Sequence, residues 1–269
     1  MISVFAVSGA QQRPLKLGTL QFPGGELNVT IEVGATADSM LIHAHLPDAA
    51  AAMTLLLATD AVRRAYPGKP VALHMPYVPY ARQDRIANPG EALSARVFCE
   101  LINAQRYERV VIQDPHSDVV VALLDRVAID DPLPPLRRVV ERTGCRALVA
   151  PDAGARKRVA KLAAALGLDV VFADKVRDTR TGEITGTQVV SGLSDCALLV
   201  VDDICDGGRT FTELAAVLAA RQAEACQRNP LYLYVTHGIF SQGLDPLLAH
   251  YEAVFTRNNW TSDKRGVLA

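Results

Sequence analysis

Short apolar runs rich in β-branched residues alternate along the chain with longer segments rich in Ala and Leu. The apolar runs predict strands, at 39–46, 70–77, 109–114, 145–152, 168–173, 197–203 and 231–238. The longer segments predict helices, at 48–65, 90–104, 154–167 and 210–222. Because the strands are apolar almost throughout, the pattern predicts parallel sheets with helices on both faces.

A Pro-rich, charged stretch divides this pattern near its middle. It reads "DDPLPPLRR" at 130–138 and separates two similar α/β halves. Such clusters mark domain boundaries, so we expect one domain over residues 1–135 and a second over 136–269. The polar segment 174–188 has a composition typical of a solvated β-hairpin, although a loop of that length is often a functional lid.

Composition excludes several classes of protein. The chain has 269 residues and a formal net charge of −1, so it offers no basic surface for nucleic acid or an anionic membrane. No apolar run is long enough to span a bilayer. The five cysteines are dispersed without a Cys-x-x-Cys pair, which argues against a disulfide framework. With no leader-like N-terminus, these features predict a cytoplasmic protein.

The segment "LLVVDDICDGGRT" at 198–210 is the richest in candidate chemistry. An apolar strand ends in two aspartates, and a third Asp and two glycines precede a helix. Ligands of parallel sheets bind beyond the carboxyl ends of the strands, glycines let backbone N–H groups approach them, and helix N-termini attract anions. One Asp could be an N-cap, but three around a Gly pair indicate a phosphoribosyl site, with carboxylates for ribose hydroxyls or Mg²⁺.

This loop resembles the phosphoribosyl-diphosphate loop of type I phosphoribosyltransferases and of ribose-phosphate diphosphokinases (PRPP synthetases). The stretch "MPYVPYARQDRI" at 75–86 separates the two families, because it is similar to a signature that the transferases lack. Further similarities follow in the synthetase order, at "FPGGE", "LSAR", "QDPHS", "APDAGARKRV", "ADKVR" and "VTHGIFS". The resemblance covers nearly the whole chain and implies two phosphoribosyltransferase-like α/β domains, each a mostly parallel sheet flanked by helices.

The activity implied by the resemblance is transfer of the β,γ-diphosphoryl group of ATP to the 1-hydroxyl of ribose 5-phosphate. The products are phosphoribosyl diphosphate (PRPP) and AMP. Such transfers are catalysed mainly by positioning and charge neutralisation, a task that the resemblance gives to Lys175 and Arg177 on a loop that closes to exclude water. It also implies Mg²⁺ as cofactor, with His116 and Asp152 associated with the metal, and a homo-oligomer, either a dimer or a hexamer.

The resemblance further assigns the binding residues. ATP is expected in the N-terminal domain, against Phe22, Glu26, Arg82, Gln83 and His116. The first two of these are expected to come from a neighbouring subunit. Ribose 5-phosphate is expected in the C-terminal domain, on Asp202, Asp203, Asp206, Gly207, Gly208 and Thr210. Composition alone would make Arg82 a surface arginine, His116 a structural histidine and Asp152 a helix N-cap.

Three positions depart from the family pattern. Gly207 lacks a hydroxyl that the loop usually carries, Arg209 replaces a small residue, and Gly24 replaces an Asp or Asn. The alternatives are therefore a type I phosphoribosyltransferase and a non-catalytic subunit associated with PRPP synthetase. The first does not account for 75–86 or Lys175, and proteins of the second kind tend to lose the loop cations or the Asp pair. A simple nucleotide-binding module would not need two sites.

Overall fold

The computed structural model describes residues 1–177, 184–189 and 195–269 and, of these, the side chains of all but 175–177 and 184–187. The chain divides into two compact units, Met1–Asp130 and Asp131–Ala269. The boundary expected after residue 135 lies further along, inside a helix that begins at Leu133 and has proline in its first turn. Proline is accepted there because the missing N–H would have no intrahelical acceptor. The helices in these described ranges are all too short or too polar to cross a lipid bilayer.

The first unit combines a six-stranded sheet with a separate hairpin. Its elements are β1 (Ile2–Ser8), β2 (Gln11–Leu15), β3 (Leu17–Gln21), β4 (Leu27–Ile31), β5 (Ser39–Ala44), α1 (Ala49–Ala65), β6 (Val71–His74), α2 (Ser94–Ala104), β7 (Arg109–Gln113), α3 (Asp118–Leu123) and β8 (Val127–Asp130). The sheet order is β2-β1-β5-β6-β7-β8. Strands β5 to β8 are parallel, β1 is antiparallel to both neighbours, and β3 and β4 form a separate antiparallel pair.

The described helices of the first unit share one face of its sheet. Strands β5 to β8 follow one another in chain order, and right-handed crossovers that always step the same way place their helices on the same face. Ile42 and Leu73 on that face are fully buried in a single core with residues of all three helices. His43 and His74, on the opposite face, are only half-buried. The sequence predicted helices on both faces, and here they cover one.

The second unit is built on a seven-stranded, mostly parallel sheet. Its elements are α4 (Leu133–Thr143), β9 (Ala147–Ala150), α5 (Arg156–Leu166), β10 (Asp169–Arg177), β11 (Ile184–Val189), β12 (Leu198–Cys205), α6 (Arg209–Glu224), β13 (Leu231–Gly238), α7 (Asp245–Leu248), β14 (Ala253–Asn259) and β15 (Gly266–Leu268). The order is β11-β10-β9-β12-β13-β14-β15. Strand β11 is antiparallel to β10, and the other pairs are parallel.

The sheet of the second unit winds in two directions. From β9 the chain steps to β10 through α5, and from β12 it steps the other way to β13 through α6. Right-handed crossovers then place α5 and α6 on opposite faces. The buried residues form two clusters accordingly, one containing Val159 of α5 and the other Leu214 of α6. Helices cover both faces here, as predicted, and the winding reverses between β9 and β12.

The polar segment 174–188 contributes to an antiparallel strand pair. Lys175 lies opposite Thr187, and Ala173 lies opposite Val189. This pairing is the β-hairpin that the composition of the segment favours. Residues 178–183 lie outside the described part of the chain, as do the side chains of Lys175 and Arg177.

Candidate functional site

Two adjacent carboxylates lie at the carboxyl end of β12. This strand is buried from Leu198 to Val201 and then presents Asp202 and Asp203. On one side its pairing with β9 ends at Val200, so the aspartates extend beyond that neighbour. The pair therefore lies where the winding of the sheet reverses, which is where ligands bind in open α/β sheets.

One arginine contacts both carboxylates. Arg158, in the first turn of α5, has its Nη2 atom 2.5 Å from Asp202 Oδ1 and 3.7 Å from Asp203 Oδ1. The backbone N–H of Asp203 also donates to Asp202 Oδ1, at 2.9 Å. The side chains of Arg158, Asp202 and Asp203 are 24%, 16% and 13% exposed, respectively. Solvent therefore screens these charges less than it screens a surface ion pair.

The buried charges change the protonation equilibria at this end of β12. Burial raises the pKa of Asp202 well above its ordinary value; the charge of Asp203 raises it further, and Arg158 opposes both effects. Burial, together with the charges of Asp202 and Asp206, raises the pKa of Cys205 to about 12. A ligand that brings hydrogen-bond donors or positive charge would relieve this accumulation of negative charge.

The loop after β12 presents backbone N–H groups at the start of α6. Gly208 caps this helix with a φ of 81°, a left-handed conformation that favours glycine. The first N–H groups of a helix have no intrahelical acceptors, and the helix dipole attracts negative charge. Thr210 lies in the first turn and is half-buried. The arrangement suits a phosphate group.

Asp206 is held in this loop by the segment that follows β13. The Ser241 hydroxyl donates to Asp206 Oδ1 at 2.8 Å, and the Ser241 N–H donates to the Asp206 carbonyl at 3.1 Å. The N–H of Ile239 donates to the Cys205 carbonyl at 2.9 Å. Sequence reasoning gave Ser241 no role, although it noted the surrounding "VTHGIFS"; the hydrogen bonds show that it fixes the loop.

Arg209, which departs from the family pattern, lies on the surface of α6. Its Nε atom donates to Glu213 Oε1 at 2.6 Å, and its side chain is 88% exposed. The two residues are one helical turn apart. The departure therefore places a cation in solvent, where Glu213 neutralises it.

Asp152 lies at the carboxyl end of β9, the neighbour of β12. Its Oδ1 accepts the Ala155 N–H at 3.1 Å, the type of contact expected of a residue that caps the turn into a helix. Because β9 and β12 are parallel neighbours, the structure brings Asp152 to the same edge of the sheet as Asp202 and Asp203. The capping role does not exclude a functional one, since a carboxylate has a second oxygen.

In the first unit, three of the predicted ATP-binding residues follow neighbouring strands. Arg82 and Gln83 lie in the loop after β6, and His116 lies after β7; all three are exposed. Strands β6 and β7 are parallel neighbours, and the Gln113 N–H donates to the Pro76 carbonyl at 2.9 Å. The two loops therefore begin together at one edge of the sheet.

Arg82 and Gln83 line a surface cavity of about 400 Å³, to which Arg85 adds a second guanidinium. Glu91, also in the lining, accepts the backbone N–H groups of Ala87 and Asn88 at 2.9 and 3.1 Å. Hydrogen bonds from the Asn88 side chain and from these two backbone groups lower the pKa of Glu91. Two guanidinium groups beside a cavity of this size suit a polyphosphate chain.

Phe22 and Glu26 lie on another element, at the tip of the β3–β4 hairpin. The Phe22 N–H donates to the Glu26 carbonyl, and the Gly25 N–H donates to the Phe22 carbonyl, both at 2.8 Å. The Phe22 side chain is 45% exposed, and Glu26 is exposed. The hairpin is a separate two-stranded sheet, so its described hydrogen bonds do not join these residues to the loops after β6 and β7.

Comparison with known proteins agrees with this architecture. Residues 8–105 match the family model of the N-terminal domain of ribose phosphate pyrophosphokinase, and residues 141–228 match that of the phosphoribosyl transferase domain. The ribose-phosphate pyrophosphokinase of Granulibacter bethesdensis is 31% identical over 245 residues, which cover 88% of this chain and 77% of that protein. The chain belongs to the ribose-phosphate pyrophosphokinase family.

Other family members show a similar degree of relationship. The ribose-phosphate pyrophosphokinase of Brucella melitensis is 30% identical over 250 residues, covering 89% of this chain and 78% of its own. That of Thermococcus kodakarensis is 29% identical over 233 residues, covering 85% and 80%. The crystal structure of phosphoribosylpyrophosphate synthetase from Mycobacterium smegmatis matches with a TM-score of 0.79 and 23% identity, over 95% of this chain and 86% of that chain. The family resemblance and the α/β fold class predicted from the sequence are thus confirmed.

Within the described side chains, no group of three or more His, Cys, Asp or Glu residues could enclose a metal ion. Mg²⁺, however, is commonly held by one or two carboxylates together with substrate phosphates and water. Asp152 supplies a half-buried oxygen donor of this kind at the edge of the sheet. The donors therefore fit a Mg²⁺ that binds together with a polyphosphate substrate better than one held in an all-protein cage.

Proposed function

We propose that the protein is a ribose-phosphate diphosphokinase, which transfers the β,γ-diphosphoryl group of ATP to the 1-hydroxyl of ribose 5-phosphate and yields PRPP and AMP. The observation that carries the proposal is the buried Asp202–Asp203 pair beside a glycine-capped helix N-terminus, at the reversal of the second sheet. Carboxylates next to an anion site match the two ends of a ribose phosphate, and family membership supports the reaction.

The second unit provides the ribose 5-phosphate site in this proposal. Asp202 and Asp203 accept hydrogen bonds from the ribose hydroxyls. The 5-phosphate accepts hydrogen bonds from the loop that begins at Asp206 and continues through Gly207, Gly208 and Thr210. The contact between Ser241 and Asp206 supports this assignment because it fixes the start of the loop.

The first unit provides the ATP site. Arg82 is suited to hold phosphate through its planar fork of donors, and Gln83 and His116 follow the same edge of the sheet. At the hairpin tip, Phe22 can stack on adenine, and Glu26 can accept a hydrogen bond from its amino group. We assign this pair to the site of a neighbouring subunit, in a homo-oligomer. The exposure of both side chains supports that assignment.

The transfer itself needs positive charge around the β-phosphorus of ATP. The ribose 1-hydroxyl oxygen bonds to that phosphorus, its proton is released, and the bond to the AMP oxygen breaks. We assign charge neutralisation to Lys175 and Arg177, which belong to β10. Mg²⁺ bound with the substrate phosphates would supply further neutralisation of the polyphosphate. We assign Asp152 of the second unit and His116 of the first, each within its own unit, as residues associated with the metal.

A cytoplasmic location is consistent with the cysteines. All five are free thiols, and Cys99, Cys145 and Cys205 are buried. Burial alone raises the pKa of Cys99 to about 11, which makes the reactive thiolate rare at neutral pH. The cysteines therefore fit a reducing compartment.

Product analysis tests the proposed reaction. The purified protein is mixed with ATP, ribose 5-phosphate and Mg²⁺, and products are followed by HPLC or ³¹P NMR. We expect AMP and PRPP in equal amounts, and strong impairment in Lys175→Ala. Lys161→Ala is the matched control, because it removes an exposed cation from the surface of α5, and it should keep full activity.

The opposite outcome separates the alternatives. If ATP stays intact while added PRPP still binds, the proposal is wrong. A type I phosphoribosyltransferase would then consume PRPP with a suitable base, whereas a non-catalytic associated subunit would consume nothing.

A further inference from the structure

Arg158 reaches the acidic pair from a different strand–helix unit. It belongs to α5, which follows β9, whereas Asp202 and Asp203 end β12. We propose that Arg158 is a positioning residue for ribose 5-phosphate, which holds the Asp202–Asp203 pair in the arrangement that accepts the ribose hydroxyls. This inference deepens the proposed function and rests on it.

Two hydrogen bonds fix the orientation of the Asp202 carboxylate. Asp202 Oδ1 receives two donors, Arg158 Nη2 at 2.5 Å and the Asp203 N–H at 2.9 Å. The terminal torsion of an aspartate has a broad energy well, so an unrestrained carboxylate can rotate. Two donors on one oxygen remove that freedom, and the orientation of Asp202 toward a ligand is then set before the ligand arrives.

The positive charge of Arg158 offsets the repulsion between Asp202 and Asp203. Adjacent carboxylates repel each other, and at 16% and 13% exposure water screens that repulsion poorly. Without Arg158, the two side chains would relieve the repulsion by turning apart. A guanidinium carries five donors in a fixed plane and can face both carboxylates. A lysine in its place would keep the charge but not this geometry.

The neighbouring arginine shows that the contact is specific to Arg158. Arg156 is also in the first turn of α5, and its Nη2 atom lies 2.5 Å from Asp174 Oδ2. Its guanidinium stacks on the Phe172 ring, with Cζ 5.4 Å from the ring centroid. Arg156 therefore contacts β10, and Arg158 contacts β12. A role in ribose binding through the acidic pair is expected of the second arginine alone.

Binding of two probes tests the inference. Ribose 5-phosphate and inorganic phosphate are titrated calorimetrically, without ATP, into the wild type, Arg158→Met, Arg158→Lys and Lys161→Met. We expect Arg158→Met to weaken ribose 5-phosphate binding about 10- to 100-fold, by analogy with the loss of residues that orient metal ligands. Phosphate binding should not change, because Ser241 and α6 build the phosphate loop. Arg158→Lys should lie between, and Lys161→Met should match the wild type.

Steady-state kinetics give a second measurement. In Arg158→Met the KM for ribose 5-phosphate should rise while the KM for ATP stays constant. Equal losses of ribose 5-phosphate and phosphate affinity would overturn the inference, since they would show a general structural role. Unchanged ribose 5-phosphate affinity would overturn it too.

The remaining outcomes keep the two proposals distinguishable. If Arg158→Met does not fold, Arg158→Lys carries the test, because it should lose ribose 5-phosphate affinity several-fold and leave phosphate affinity intact. Wild-type binding of ribose 5-phosphate without formation of AMP from ATP would contradict the proposed function and not the positioning role. Unaltered kinetics in Arg158→Lys and Arg158→Met would contradict the positioning role alone.

Discussion

Gly207 and Gly208 are neighbours in the phosphate loop, but a side chain at each would meet different surroundings. Gly208 has a φ of 81°, and a Cβ there would lie 3.3 Å from Leu247 Cδ2. The backbone at Gly207 lies outside the left-handed region, and a Cβ there would lie 3.7 Å from Gln242 Cγ, an ordinary contact. Only Gly208, of these two, is therefore required by the backbone.

We expect Gly208→Ala to cost about 1–2 kcal/mol of stability because of the left-handed conformation, and to raise the KM for ribose 5-phosphate. Gly207→Ala should leave the stability nearly unchanged, because its backbone lies outside the left-handed region. Thermal unfolding and steady-state kinetics on the two variants check this. Equal effects at the two positions would show that backbone strain does not shape the loop.

Asp202 makes stability depend on pH. Because its pKa is raised in the folded protein, the folded state binds this proton more tightly than the unfolded chain does. This tighter proton binding stabilises the folded state at pH values below the pKa of Asp202 in the unfolded chain. The stabilisation is lost as pH rises through the raised pKa of Asp202 in the folded protein. Asn stays neutral, so Asp202→Asn should raise the Tm at about pH 8 and change it less at about pH 4. It should also weaken ribose 5-phosphate binding. A lower Tm than the wild type at the higher pH would contradict this account.

The β3–β4 hairpin offers a matched pair of exposed apolar side chains. Leu20 is 54% exposed and Phe22 is 45% exposed, so neither contributes much to the core. If Phe22 stacks on adenine, Phe22→Ala should raise the KM for ATP about 10-fold, the scale of aromatic–base stacking, with no change in Tm. Leu20→Ala should change neither. An equal rise in both variants would mean that the hairpin surface, and not stacking, matters.

The sequence pattern predicted some helices and strands better than others. The strand predicted at 231–238 has the bounds of β13, because it begins with an apolar run from Leu231 to Val235 and is buried at every position except Tyr232. The pattern did not predict strands β1 to β4, β8, β14 or β15. Four of the five residues of β2 are exposed, so this strand depends on pairing with β1 and not on burial. Helix α4 was taken for a boundary because its prolines, which suit a first turn, also mark linkers.

The sequence predicted those residues of the candidate site that lie close together along the chain. Asp202, Asp203 and Gly208 fall within one short motif, whose position after an apolar strand implied a sheet edge. Arg158 and Ser241 were missed because their contacts span 44 and 35 positions along the chain. The signal for Arg158 was a cation in the first turn of the helix after β9, but nothing local shows that β9 lies beside β12.

The two units differ in winding, and this difference accounts for where their candidate residues lie. The second sheet reverses direction between β9 and β12, which leaves a crevice at the strand ends for Asp152 and the acidic pair. The parallel strands of the first sheet follow in chain order and provide no such reversal. Its candidate residues lie on the long loop after β6, on the short loop between β7 and α3, and on the β3–β4 hairpin.

Subunit mixing tests whether the hairpin serves a neighbouring subunit. In the double variant Phe22→Ala and Glu26→Ala, each chain keeps Lys175; in Lys175→Ala, each chain keeps an intact hairpin. If the hairpin is donated across an interface, one site of each mixed dimer combines a wild-type hairpin with a wild-type Lys175. Random exchange then restores roughly one quarter of the wild-type sites. If the hairpin serves its own subunit, the mixture gives only the average of the two variants. Activity assayed at low ATP, before and after subunit exchange, distinguishes these outcomes. In a separate assay, dilution of the wild type should lower its specific activity as the oligomer dissociates.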